Sequence, residues 1–195
     1  MNLELSDWDQ DLPAEEYEEY ENLITALKRK EGFGLFFVQC SNQEAEQLIN
    51  KISHFLPEKN IQVLRLTEPI DTLYDQLLDI YTNKRFDILL IAGLEYSLYK
   101  YEKQQFGEIT ETHYSDLSSV PPILDHLNQK RELIRDKIPV IFVFLGHPFV
   151  IDYFIHRSQD FFDWKSSSVL KLTTIPELVQ EQSSSISSSE AFSSC

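Results

Sequence analysis

The stretch Leu35-Phe36-Phe37-Val38-Gln39-Cys40-Ser41-Asn42-Gln43-Glu44 decides the fold. Its four consecutive apolar residues read as a strand buried on both faces. A helical pattern follows at once, with Ala45, Leu48, Ile49, Ile52 and Phe55 at helical spacing. A buried strand running straight into an amphipathic helix is the opening unit of a doubly wound α/β domain. In such domains this first turn is where phosphate binds, on glycines and exposed helix N–H groups. Here the turn carries neither glycine nor lysine. Ser41 and Glu44 instead have the S-x-x-E spacing of a capping box, which satisfies those N–H groups from within the chain. Glu44 and Glu46 in the first helical turn would repel a phosphate. A working G-x-x-x-x-G-K-[ST] loop is therefore absent, and Ser41 and Asn42 are left as the residues a nucleotide would meet.

Outward from this turn the pattern repeats. Ile88–Ala92 and Val140–Leu145 are also continuous apolar runs, as expected of central parallel strands, while Ile61–Leu66 and Val169–Leu172 are more mixed and fit the sheet edges. Between them lie helical patterns at Leu73, Leu77, Leu78 and Tyr81, after Pro121-Pro122, and after Pro148. A further helix is expected over Ala14–Lys30, ended by Gly32 and Gly34. This order predicts a three-layer α/β sandwich around a mainly parallel five-stranded sheet. Residues 99–119 show little apolar periodicity and read as a long surface insertion after the third strand. The expected organisation is an acidic arm (1–22), an α/β domain (23–178) and a Ser-rich flexible tail (179–195).

The net charge of −15 argues against nucleic-acid and anionic-membrane partners, which require clustered Lys and Arg, and favours a basic protein partner. The two cysteines, Cys40 and Cys195, form neither a metal-ligand spacing nor a plausible disulfide, which suits a cytoplasmic setting. No segment approaches the roughly 20 apolar residues of a membrane span. The acidic N-terminus is unlike a signal peptide.

Several residues stand out, each with two readings. Glu95 follows the third strand, where α/β enzymes place a magnesium ligand or base; it also suits an ion pair with an arginine or a helix cap. His147 lies at the same edge, as a ligand sensor or an ordinary loop histidine. Arg131 falls in register with Leu124, Leu127 and Ile134, so its stem packs and its head pairs with a carboxylate, for which Glu95 is a reasonable partner. Arg157 is the other candidate phosphate-binding cation. Phe161, Phe162 and Trp164 either plug the sheet edge or form a docking patch. Trp8 and Tyr17, interleaved with the acids of the N-terminal arm, mark either a solvated segment or a docking element. The histidines form no metal pattern.

Three segments together carry a family resemblance: Gly93-Leu94-Glu95, Leu127-Asn128-Gln129-Lys130-Arg131-Glu132 and Asp160-Phe161-Phe162-Asp163-Trp164-Lys165-Ser166. They resemble a degenerate P-loop ATPase-like domain, related to STAND-type signalling ATPases, of bacterial and notably cyanobacterial multidomain proteins. That family reads G-L-E, L-N-x-x-R-D and A-P-D-F-W-x-W-R-S-G at these places. The resemblance implies a P-loop NTPase-like sheet of order 5-1-4-3-2, Glu95 at the Walker B position and Gln39–Glu44 at the Walker A position. The chain departs from active relatives at that loop, and it has Lys165 and Ser167 where the pattern has Arg and Gly.

Two functions of different class are expected from these features. The first is a non-catalytic, protein-binding signalling module with no cofactor. The alternative is a nucleotide-binding signalling ATPase that takes ATP and magnesium, with Glu95 toward the metal and Arg131 or Arg157 toward phosphate. A receiver-like domain is a third reading, which Lys171 fits but for which the acidic pair after the first strand is missing.

Overall fold

The computed structural model describes residues 14–172, with helix α1 spanning Ala14–Arg29. The tail beyond residue 178, Trp8, and the side chain of Tyr17 lie outside the described residues. After α1 come β1 (Gly34–Gln39), α2 (Asn42–Phe55), β2 (Ile61–Arg65), α3 (Tyr74–Asn83), β3 (Ile88–Ala92) and α4 (Glu95–Phe106). A single 3-10 turn at His113–Ser115 follows, then α5 (Pro122–Lys137), β4 (Ile141–Gly146), α6 (Pro148–Arg157), α7 (Gln159–Phe162) and β5 (Leu170–Lys171). The strands form one parallel sheet in the order β2-β3-β4-β1-β5. The apolar runs are the three central strands and the mixed runs the two edges, as their composition requires.

Side chains alternate along each strand, so one run feeds two cores. Leu35, Phe37, Leu89, Ile91, Phe142 and Phe144 face the layer built by α3 to α7. Phe36, Val38, Ile88, Leu90, Ile141, Val143 and Leu145 face α1 and α2. On that second face α2 buries Ala45, Leu48, Ile49 and Ile52, a stripe at helical spacing. Helix α1 adds Tyr20, Leu23 and Leu27. Burying each such large side chain contributes about 1.5–3 kcal/mol, which is why two short amphipathic helices suffice to cover the face.

The aromatic segment after α6 belongs to the first core. Phe162 lies with its ring 4.8 Å from Phe37, and Phe161 is 5.7 Å from Phe144; both are buried. The docking role that their exposure would have allowed is thereby excluded: they plug the fold. Trp164 is half-buried between Phe33 and the guanidinium groups of Arg131 and Arg135.

The expected insertion at 99–119 is corrected in its first half. Residues 95–106 are helical, and the irregular segment begins only at Gly107, whose φ of 80° closes α4 in the left-handed region. The apolar periodicity that marks a helix is broken here because the buried face of α4 carries Glu95, Ser97 and Glu102 beside Leu98 and Tyr101.

Candidate functional site

Register brings the ends of three strands together. Gln39 of β1 stands opposite Gly146 of β4, the Cys40 N–H donates to the Gly146 carbonyl at 2.9 Å, and the Leu172 N–H donates to the Gln39 carbonyl at 3.0 Å. Gln39, Cys40, Ser41, Glu44, His147, Pro148 and Leu172 line a groove of about 350 Å³ at this edge. Next along the sheet, Arg65 pairs with Ala92, and the Leu66 N–H donates to the Ala92 carbonyl. Gly93 then turns the chain with φ of 95°. A Cβ there would lie 2.0 Å from the Leu66 carbonyl oxygen, so the close approach of these two strand ends requires glycine.

The first turn is closed from within. The Glu44 N–H donates to Ser41 Oγ at 3.3 Å, and the Ser41 N–H donates to Glu44 Oε2 at 2.6 Å. Both halves of the capping box are formed, so two N–H groups of the α2 N-terminus are already satisfied. Burial, reinforced by the charges of Glu44 and Glu95, pushes the Cys40 thiol up to about 12 against the opposing Gly146 hydrogen bond. It is a protonated packing residue at neutral pH.

Glu95 is the first residue of α4 and only 5% exposed. Among the described residues its Oε2 has no hydrogen-bond partner. It lines a second, smaller cleft of about 200 Å³ with Asn42, Arg65, Thr67, Gly93 and Tyr96. The cation of that cleft, Arg65, is held by Glu46 through two 2.8 Å bonds, which keep the Glu46 carboxyl below its ordinary range and the Arg65 guanidinium above its own. Arg65 carried no sequence signal; only the register of β2 against β3 brings it to this edge.

Of the six nucleotide-site residues expected from sequence, four gather here: Ser41, Asn42, Glu95 and His147. The two arginines do not. Arg131 Nη1 donates to the Asn128 carbonyl at 2.8 Å and meets Asp160 Oδ2 at 3.4 Å, so its carboxylate partner is Asp160 and not Glu95. Arg157 ends α6, ten residues and about 15 Å of helix axis from His147. Its guanidinium is buried and spent on the loop after α4, donating to the carbonyls of His113 (3.1 Å), Tyr114 (2.7 Å) and Ser119.

That loop is gripped by a second buried charge that sequence reasoning missed. Glu102 accepts from the N–H groups of Thr110 (3.0 Å), Glu111 (2.9 Å) and His113 (3.4 Å), and from the Tyr153 hydroxyl (3.0 Å). Burial and this hydrogen bond to Glu102 push the Tyr153 phenol well above its ordinary range. The signal was available: Glu102 sits three and four residues from Tyr99 and Leu98, on the buried stripe of α4.

Among the described residues, no group of three or more His, Cys, Asp or Glu could hold a metal ion, and no helix is long and apolar enough to cross a membrane. Comparison of the chain with protein-family models, curated proteins and solved structures finds no match.

Proposed function

We propose that this chain is a non-catalytic, ATPase-like signalling module that works by binding protein partners, with a phosphate loop that has been replaced. The observation that carries the reading is the closed start of α2. Glu44 Oε2 accepts from the Ser41 N–H at 2.6 Å, occupying a donor that a phosphate oxygen would otherwise take. A triphosphate entering the groove would have to displace that carboxylate, with Glu95 of the second cleft adding to the negative charge. The resemblance to degenerate P-loop domains points the same way.

The protein-binding part is supported by the loop at 107–121. It presents Ile109, Leu117 and Val120 to solvent, Leu117 at 77% exposure, beside Glu108, Glu111 and Asp116 and no lysine or arginine. Glu102 and Arg157 fix its backbone, and a preformed loop loses less entropy on binding. An acidic loop with apolar tips suits a basic partner.

One observation favours a second reading, a magnesium-nucleotide-binding signalling ATPase: the Glu95 Oε2, which has no partner among the described residues, just after β3. A single titration separates the two. Melting is followed while ATP and magnesium are added. Binding would stabilise by RT ln(1 + [L]/Kd), about 2.7 kcal/mol at 100-fold excess over Kd. No shift at millimolar ATP is expected. A shift that disappears in Glu95→Ala, with the fold intact, would replace the first reading by the second.

A further inference from the structure

Helix α4 buries two carboxylates, and the chain answers them differently. Glu102 receives three backbone N–H groups and a tyrosine hydroxyl. Glu95, seven residues earlier, has an Oε2 that meets no donor among the described residues. The N-terminus of α4 makes negative charge tolerable at Glu95 but gives that oxygen no hydrogen bond. A buried carboxylate oxygen without a partner, on a residue that lines a cleft, makes that carboxylate a place for a donor from outside the chain.

The cleft says what kind of donor. At about 200 Å³ it is smaller than the roughly 300–1,000 Å³ pockets that hold cofactors and drug-sized ligands, and is closer to the size of one side chain. Its own cation, Arg65, is neutralised by Glu46. Among the described residues that leaves Glu95 as the lining carboxylate outside any ion pair. Tyr96 stands 42% exposed at the cleft, able to pack the stem of a long side chain and face its charged head.

We infer that this cleft receives a lysine side chain of a basic protein partner, with the Glu95 carboxylate as the counter-ion of the ammonium group. Lysine suits it better than arginine, because a compact ammonium on an unbranched stem enters a narrow cleft that a planar guanidinium fork does not. The inference rests on the reading of the chain as a protein-binding module and gives that module the chemistry of its partner.

The test uses the full chain and a fluorescein-labelled tetralysine peptide, followed by anisotropy at near-physiological salt. Glu95→Gln removes one charge from the cleft, and Glu108→Gln removes one from the exposed loop. Glu95→Gln should weaken binding roughly tenfold or more, and Glu108→Gln by less than about twofold. The amide resonances of Gly93 and Tyr96 should shift on adding peptide to the wild-type protein and stay still in Glu95→Gln. Equal weakening in both variants would mean attraction to bulk negative charge and would overturn the inference. So would unmoved Gly93 and Tyr96 resonances. Unlabelled magnesium-ATP is the third arm. If it displaces the peptide and raises Tm, the cleft belongs to a nucleotide, and the protein-binding reading falls with the inference. If neither peptide nor magnesium-ATP binds, the lysine inference alone falls.

Discussion

Glu95 and Glu102 lie on one face of one helix, about 10 Å apart along its axis, and the fold treats them as opposites. Around Glu102 the chain folds back and aims donors at the carboxylate, so that a 15-residue connection without regular structure beyond one 3-10 turn becomes a fixed surface. Around Glu95 the chain brings strand ends together, turns at Gly93 and leaves a buried oxygen without a partner among the described residues. A buried carboxylate that organises the protein consumes its own hydrogen-bonding capacity. One that keeps capacity in reserve is available to a ligand. The contrast separates a structural charge from a functional candidate without appeal to motif or position.

The largest effects should come from the satisfied charge. Glu102→Ala strands three backbone N–H groups and the Tyr153 hydroxyl and frees the loop, at a cost of about 3–5 kcal/mol. For a chain of this length that is a fall of about 10 °C in Tm, measurable by calorimetry. Arg157→Met removes the donor to three loop carbonyls. Under-satisfied carbonyls are better tolerated than stranded N–H groups, so the expected cost is smaller, about 2–3 kcal/mol. Because both side chains hold the same loop, the double variant should lose less than the sum of the two. Strict additivity would show that the two charges grip independent pieces and would weaken the picture of one preformed surface.

The sequence made the sheet legible because its central strands are uniformly apolar and its edges are not. Apolar spacing on α2 and α5 was equally plain. Helix α4 was hidden by the feature that matters most. Periodicity is read from apolar residues, and this helix places glutamates and a serine on its buried face. The capping box could be read because its contacts are local, spanning Ser41 to Glu44. The carboxylate partner of Arg131 and the carbonyl partners of Arg157 could not, because they depend on how α5, α6, α7 and the loop meet in space, across separations of 29 to 44 residues. Four of the six expected site residues converge because each lies just after a strand, where topology alone sets position. The two that diverge were placed by helical register, which fixes a face of a helix but not its neighbour.

The open charge predicts an effect of the other sign. Glu95→Leu replaces a carboxylate that has an unpartnered buried oxygen by a side chain that needs no donor. Such a replacement is neutral or stabilising, here by about 1 kcal/mol. Tm should stay level or rise slightly by calorimetry, while tetralysine binding is lost. A fall comparable to that of Glu102→Ala would mean that the folded chain already supplies Glu95 with compensating interactions, and the distinction between the two carboxylates would dissolve.

The smallest expected effect lies at the meeting of α5 with the start of α3, where a neutral group does for α3 what Glu102 does for the loop. His126 Nε2 accepts the Tyr74 N–H at 3.1 Å, at the start of α3. Burial, followed by the charge of Lys130, holds the imidazole below its ordinary pKa of 6.5, while Asp75 and Asp125 pull the other way. The folded state therefore binds this proton less readily than the unfolded chain. The contribution of His126 is complete above pH 6.5 and is lost progressively as pH falls below 6.5 toward the depressed folded value. Once protonated, both ring nitrogens are donors, and the Tyr74 N–H loses its acceptor. His126→Gln keeps a side-chain oxygen able to accept but removes the titration. A Tm profile between pH 7.5 and 5 should thus be flatter in the variant than in the wild type. Parallel profiles would show that acid acts elsewhere, and that a neutral acceptor at a helix start matters less to this fold than the charged one that holds its loop.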